Sequence, residues 1–385
     1  MSRAALMAKM MTEHQKRFGA DTCYTVPEHG NTHYGVPLGS LALEYLLGST
    51  ILPLERIIEL SGPFGSGKSA LGYELLRMLT GHGGIGSVVE TENKSSLTLM
   101  QSILKELAEM VRFHRTKLMD QAQDRITAEL MVYQKLVPDR SVPMGILLDS
   151  LVGNRAEETV EKIDKEGHAD RAHAKEAMMI AAYFSSLSDK LIGQPIVFLF
   201  TNHEKERIAQ GPTAHGPSIR NPGGVAPDFF ATYHIRAVKA ETFHSALDPG
   251  FTIRLTTKKS SMGADRRSIL VDMRWHYREV DGILVQDTYF DWPKATATLL
   301  DSEDVPKSVL NDIVQVKKVT GSKFNCAALG LKEAPPEEVG KAIHASTELM
   351  QKLRAALGIF TWRQIAVAED KPEKPAKAKK AEKED

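Results

Sequence analysis

The sequence predicts an α/β fold: a mainly parallel central sheet, an N-terminal helix and a small α+β C-terminal region. Three observations carry this prediction. Apolar runs of strand length alternate with helical patterns between about residues 57 and 202. The first of these runs feeds a glycine-rich turn that opens a helix. Three later runs, 234–239, 252–256 and 268–274, alternate apolar with polar residues, as half-buried antiparallel strands do.

In chain order, residues 4–18 carry Leu6, Met7, Met10 and Met11 on one side of a helical pattern. A helix this short is marginal alone and is expected to dock on its own domain or a neighbouring subunit. Residues 20–37 are polar and turn-rich, and 38–47 read as a helix. Ile57-Ile58-Glu59-Leu60 is a buried strand, and Leu71, Leu75, Leu76 and Leu79 mark the helix after the turn. Residues 86–92 form a strand ending in Glu90 and Glu92, and 97–136 are mainly helical. A strand over 144–150 stops at Asp149, a helix covers 172–191, and a strand over 195–202 ends in Asn202. Residues 203–224 read as a long loop of the functional kind. Residues 299–367 are a smaller mixed region with helical pattern over 336–357. The tail, 369–385, is Lys, Glu, Ala and Pro, cannot bury a core, and is expected to be disordered. The expected units are 1–36, a core over 37–290, a C-terminal domain over 291–368, and the tail.

Composition narrows the setting. With 49 basic and 49 acidic side chains, the overall charge announces no nucleic acid, so any such site must be a local patch. Cys23 and Cys326 are far apart, which suits a reducing cytoplasm and offers neither a disulfide framework nor a metal quartet. No apolar stretch is long enough to span a bilayer, so no membrane partner is expected. Arg3 and Lys9 interrupt the N-terminal apolar residues, which read as a helix and not as a signal peptide.

The chemistry gathers around Gly62-Pro63-Phe64-Gly65-Ser66-Gly67-Lys68-Ser69-Ala70, which has P-loop spacing in a strand–turn–helix setting. Its glycines let backbone N–H groups face phosphate oxygens, and the following helix adds its positive end. Lys68 suits the β- and γ-phosphates, and the Ser69 hydroxyl suits Mg²⁺. Asp149, closing an apolar run, has the setting of an acid that holds the same ion. Glu92 is the candidate base that orients a water, with Glu90 in support. Asn202 or His203 is placed to sense the γ-phosphate. The bland alternatives are a turn capped by Asp149 and solvated strand ends. A second cluster is basic: Arg254, Lys258, Lys259, Arg266, Arg267, Arg274 and Arg278 against Asp265 and Asp272. It reads as a phosphate-backbone surface, a subunit contact or a solvated face.

These motifs, in this order, resemble the RecA recombinase family over about residues 5–275. The resemblance is carried by 39–59 leading into the P-loop and by Val88-Val-Glu-Thr-Glu92. It continues with Leu147-Leu-Asp149-Ser150, Phe198-Leu-Phe-Thr-Asn202-His203, and Asn221-Pro-Gly223-Gly224 with the residues that follow. It implies an ATP-dependent recombinase that binds ATP and Mg²⁺ and hydrolyses ATP through Glu92, Lys68 and His203. The family assembles as a head-to-tail helical filament on single-stranded DNA and pairs it with double-stranded DNA. Lys258 and Lys259 resemble lysines that reach a neighbour's nucleotide. The resemblance assigns DNA contacts to Arg171, Ile219, Arg220, Gly223 and Gly224, and implies single-strand-binding or loading proteins as further partners. Departures are His203 in place of glutamine, the charged 97–136 segment, an acidic 155–171 and a Lys-rich tail. They point to a remote, phage-type member. A ring-forming ATPase motor and an ATP-switched architectural DNA-binding protein remain as alternatives.

Overall fold

The computed structural model describes residues 2–19, 34–92, 97–151, 170–207, 218–220, 225–243, 249–263, 266–280, 283–305, 307–319, 323–361 and 363–364. Helix α1 (Arg3–Phe18) starts at Ser2, whose side chain accepts from the Ala5 N–H, and ends at Gly19 with φ 109°. None of its residues is buried, and Leu6, Met7 and Met10 stand exposed. After it come β1 (Tyr34–Pro37), α2 (Leu41–Leu47), β2 (Ile51–Pro53) and β3 (Arg56–Gly62). Then α3 (Lys68–Gly81), β4 (Ile85–Glu90), α4 (Leu97–Leu104), β5 (Val111–Arg115), α5 (Met119–Leu136) and β6 (Met144–Asp149) alternate. Next are α6 (Asp170–Leu191), β7 (Ile196–His203), β8 (Lys205–Arg207), β9 (Ser218–Arg220) and α7 (Ala226–Phe230). Four strands follow: β10 (Tyr233–Phe243), β11 (Gly250–Ser260), β12 (Ser268–Val280) and β13 (Ile283–Phe290). The C-terminal region holds α8 (Trp292–Asp301), α9 (Lys307–Leu310), β14 (Val316–Lys318), β15 (Phe324–Cys326), β16 (Leu331–Ala334), α10 (Pro336–Ala345), α11 (Thr347–Ala356) and β17 (Arg363–Gln364).

Among the described residues the main sheet has nine strands, in the order β13-β12-β11-β10-β3-β7-β6-β4-β5. From β10 to β5 the pairs are parallel, and from β10 to β13 they are antiparallel. This is the fold class expected from the sequence. Alternation along β3 divides its side chains between two faces. Ile58 and Leu60 join the apolar cluster that contains Leu71, Leu75, Leu76 and Leu79 of α3. Ile57 joins the opposite cluster, with Ile126 and Leu130 of α5 and Phe184 and Leu187 of α6. Leu76 has no exposed surface, so trimming it to alanine would cost about 2–5 kcal/mol.

The structure corrects several local expectations. Residues 97–136 are mainly helical, as expected, but β5 interrupts them as the edge strand beside β4. Val111 of β5 is buried and Phe113 packs against the same core, while the Ala-, Leu- and Glu-rich flanks masked this short alternation. Residues 203–224 are not wholly loop: β7 runs through His203, and β8 pairs antiparallel with β9. The helical pattern over 336–357 resolves into two helices, broken at Ser346, whose hydroxyl accepts from the Leu349 N–H and starts α11. The basic segment is no continuous surface. Arg267 donates to the carbonyls of Tyr45 and Gly358, Arg274 pairs with Asp272, and Arg278 pairs with Asp287. Arg254, Lys258 and Arg266 remain exposed.

The C-terminal region is fastened to the sheet domain. Leu299, Val339, Ile343 and Leu353 share one apolar cluster with Leu46 and Leu71. Arg354 of α11 donates two hydrogen bonds of 2.7 Å to the buried Glu44 carboxylate of α2. His344 Nε2 accepts from the Leu41 N–H at 3.2 Å, capping α2 where Ser40 makes no side-chain cap. Finally β17 pairs parallel with β1.

Candidate active site

Parallel strands that stop at one edge leave their last residues facing a common crevice. Here the register puts Gly62 beside His203, Glu90 beside Asp149, and Leu148 beside Phe200. Asp149 is thereby level with Thr201, the residue after Phe200. The loop leaves β3 at Gly62, where φ is 147° and an added Cβ would lie 2.1 Å from the Ala237 carbonyl oxygen. It enters α3 at Gly67, with φ 88°, where a Cβ would lie 2.6 Å from Ile253. Any larger residue at either place meets both a strained backbone and a neighbouring strand.

Lys68 folds back over the loop. Its ammonium donates to the carbonyls of Gly62 at 3.0 Å and Pro63 at 2.7 Å. Burial pulls the ammonium below the ordinary lysine value, and the charges of Asp149, Glu92 and Glu204 oppose that pull. Ser66 Oγ is buried with no hydrogen-bond partner. A cradle with a buried orphan hydroxyl and a lysine resting on its own carbonyls suits a phosphate-bearing ligand. Pro63, Phe64 and Gly65 form the exposed rim, and Ala70 lies buried in the first turn of α3.

Asp149 is the buried acid of the cluster. Thr201 donates to its Oδ1 at 2.5 Å, and the Tyr73 hydroxyl lies 3.4 Å from Oδ2. Burial pushes its carboxyl above the usual range, while hydrogen bonds from Thr201 and Ser69 pull it back and the charges of Glu92 and Glu90 add to the rise. A cation there would remove that penalty, so Ser69 and Asp149 fit an oxygen-ligated Mg²⁺. Thr91 fastens β4 to the end of β6, accepting from the Ser150 N–H at 3.0 Å and donating to the Ser150 carbonyl at 2.8 Å.

Glu92 stands just past β4. Its Oε1 lies 3.1 Å from His203 Nε2 and accepts a short hydrogen bond from Ser150 Oγ. Phe64 of the loop stacks over the His203 ring, with centroids 6.3 Å apart and planes at 22°. Glu90 has a neighbour on the edge strand. It lies 3.7 Å from Arg115 of the edge strand, a partner invisible while residues 97–136 read as helix. Asn202 points elsewhere, donating to Glu59 at 2.9 Å.

Lys68, Ser69, Asp149, Glu92 and His203 are therefore brought together. Lys258 and Lys259 are not. Lys259 pairs in register with His234, which pairs with Glu59, three residues before Gly62. Its ammonium donates to the carbonyls of Asp228 and of Phe229, the latter at 3.0 Å. The side chains of Arg171, Ile219 and Arg220, and all of Gly223 and Gly224, lie outside the described residues. Sequence reasoning missed Tyr73, Thr91, Ser150 and Thr201. The polar Thr201-Asn202-His203 strand end was the one available signal.

A phosphate-type loop, a buried acid and a carboxylate–imidazole pair at the carboxyl edge of a parallel sheet define a P-loop protein of the α/β class. Residues 5–277 match the RecA N-terminal domain, and the chain belongs to the RecA family. Protein RecA of Listeria welshimeri, of Listeria ivanovii and of Listeria seeligeri is in each case 24% identical over 308 residues, spanning 75% of this chain and 83% of theirs. No helix among the described residues is long and apolar enough to cross a membrane.

Proposed function

We propose that this chain is an ATP-dependent DNA recombinase: a DNA-dependent ATPase that forms helical filaments on single-stranded DNA and promotes homologous pairing and strand exchange. The observation that carries this reading is the cluster of Lys68, Ser69, Asp149, Glu92 and His203 at the sheet edge of a RecA-family chain. ATP with Mg²⁺ supplies the phosphoanhydride to be cleaved. Lys68 leaves the carbonyls of Gly62 and Pro63 to neutralise phosphate charge, and Ser69 and Asp149 hold the cation. Glu92 orients the attacking water once it is released from His203 and Ser150, while His203 turns toward phosphate. Lys258 and Lys259, remote from the loop of their own chain, act on the nucleotide of the next subunit in a head-to-tail contact that does not close. Arg171, Ile219, Arg220, Gly223 and Gly224 contact DNA.

Electron microscopy with single-stranded DNA and a slowly hydrolysed ATP analogue tests this. Helical filaments are expected; discrete rings or monomers overturn it. The engagement of Glu92 with His203 and Ser150 favours one other reading, an ATP-switched DNA-binding protein with little hydrolysis. Phosphate release that single-stranded DNA fails to stimulate would select that reading.

A further inference from the structure

A chain of hydrogen bonds, buried at Ser61 and His234 and exposed at Asp228, joins the strand ahead of the phosphate loop to α7. Glu59 and Ser61 alternate with Ile58 and Leu60, so they share the face on which Ile57 packs. Ser61 Oγ lies 2.7 Å from His234 Nε2, and His234 Nδ1 lies 2.7 Å from Asp228 Oδ1. Glu59 Oε2 is 3.9 Å from the same Nδ1, and Glu59 Oε1 accepts from Asn202, the neighbour of His203. Glu59, Ser61 and Asn202 have no exposed surface.

Two carboxylates and an imidazole are also a metal-ligand set. The geometry here is that of a relay. At 2.7 Å, Nδ1 and Oδ1 are at hydrogen-bond distance, and the other ring nitrogen is engaged by Ser61. The Asp228 carboxyl is held below the usual range, first by the His234 hydrogen bond.

Helix α7 has only five residues, and among the described residues two polar side-chain ties reach it. Asp228 joins it to β10 and β3 through His234. Lys259 joins it to β11 by donating to the Asp228 and Phe229 carbonyls. Its other anchor is apolar: the Phe230 ring stacks with Phe184 of α6. Ser61 immediately precedes Gly62, whose carbonyl is one of the two that hold Lys68 in this structure. A phosphate that drew Lys68 off that carbonyl would release a contact on the peptide next to Ser61.

We propose that Asp228 and His234 are positioning residues that transmit the occupancy of the phosphate loop to α7, through Ser61. This path is separate from the Glu92–His203 pair. It makes α7 the element that reads the nucleotide of its own subunit through Asp228, and it leaves Lys259 as the second tie on the same short helix. The consequence for DNA rests on the function proposed above, because α7 directly follows residues 221–224. The consequence for α7 itself does not.

Amide hydrogen exchange across residues 226–231 of the full chain, with and without a slowly hydrolysed ATP analogue, tests the relay. The nucleotide is expected to change exchange in the wild-type chain by about fivefold or more. Asp228→Asn is expected to shrink that change to below about twofold while analogue affinity stays within about twofold of wild type. The Asp228 side chain is 61% exposed, so this variant is expected to fold even if His234→Gln does not. Where both fold, the double variant should lose no more than either single variant, since the two act in series. A wild-type chain whose α7 ignores nucleotide, or an Asp228→Asn chain that responds in full, overturns the proposal. Phosphate release with and without single-stranded DNA is measured in parallel. A nucleotide response in α7 without DNA stimulation would refute the proposed recombinase and leave the relay standing.

Discussion

Thr201→Val is the substitution that most directly probes the buried acid. Thr201 is 1% exposed and Asp149 is 8% exposed, and their 2.5 Å contact joins a hydroxyl to a carboxylate. Valine keeps the shape and removes only the donor, and the site has little access to water that would replace it. A hydrogen bond to a charged group contributes about 1.5–3 kcal/mol. The loss falls on the ionised form of Asp149, because burial already raises its carboxyl and Thr201 is the first of the groups that oppose this. The ionised form is the one that holds a cation. Mg²⁺-dependent nucleotide affinity should therefore fall roughly 10- to 100-fold, with Thr201→Ser close to wild type. Titration of a fluorescent ATP analogue at several Mg²⁺ concentrations reads this. Affinity of Thr201→Val within about twofold of wild type would show that Asp149 holds no cation or that Thr201 does not tune it.

Three further outcomes follow from the contacts. Gly67→Ala should weaken nucleotide binding in the same titration, since its Cβ meets Ile253 at 2.6 Å from a backbone with φ 88°. Arg354→Ala strands the Glu44 carboxylate, which is 1% exposed; because Arg354 is itself 28% exposed, we expect a loss of about 2–3 kcal/mol in urea unfolding, smaller than for a fully buried pair. Burial and the Arg354 charge lower the His344 pKa, so the folded state resists its protonation. The stability it contributes is complete above the unfolded value of about 6.5 and is lost as pH falls from there through the lowered folded value; His344→Gln should flatten that slope in urea midpoints measured across the window.

The elements that were legible in the sequence are those whose signal is local. β6 and β7 carry continuous apolar runs, β3 is apolar apart from Arg56, Glu59 and Ser61, and α3 repeats leucine at helical spacing after a glycine-rich turn. β5 was missed because five alternating residues sit between good helix formers, and only pairing with β4 makes them a strand. The same limit explains the site. Lys68, Ser69 and Asp149 stand in short motifs whose spacing states their chemistry. Thr201 and Tyr73 matter because a strand and a helix distant in sequence from Asp149 bring their hydroxyls to it. Asp228 and His234 carried no readable signal, since their partner Ser61 is 173 residues from His234.

The basic segment shows why a charge run should be divided by partner before it is given a role. Arg267, Arg274 and Arg278 serve the fold: they hold Tyr45, Gly358, Asp272 and Asp287, and the guanidinium of Arg267 also lies 4.7 Å from the Tyr45 ring. Lys259 is different, because the atoms it donates to are carbonyls of a five-residue helix, with the Asp228 carboxylate acting on it only through its charge. A lysine resting on carbonyls loses less on leaving than one resting on a carboxylate. Lys68 rests in the same way, on the carbonyls of Gly62 and Pro63. On the proposed function both lysines meet phosphate, one in its own subunit and one in the next. In this structure each is parked on neutral acceptors, which is the arrangement that lets a phosphate outcompete the resting contact.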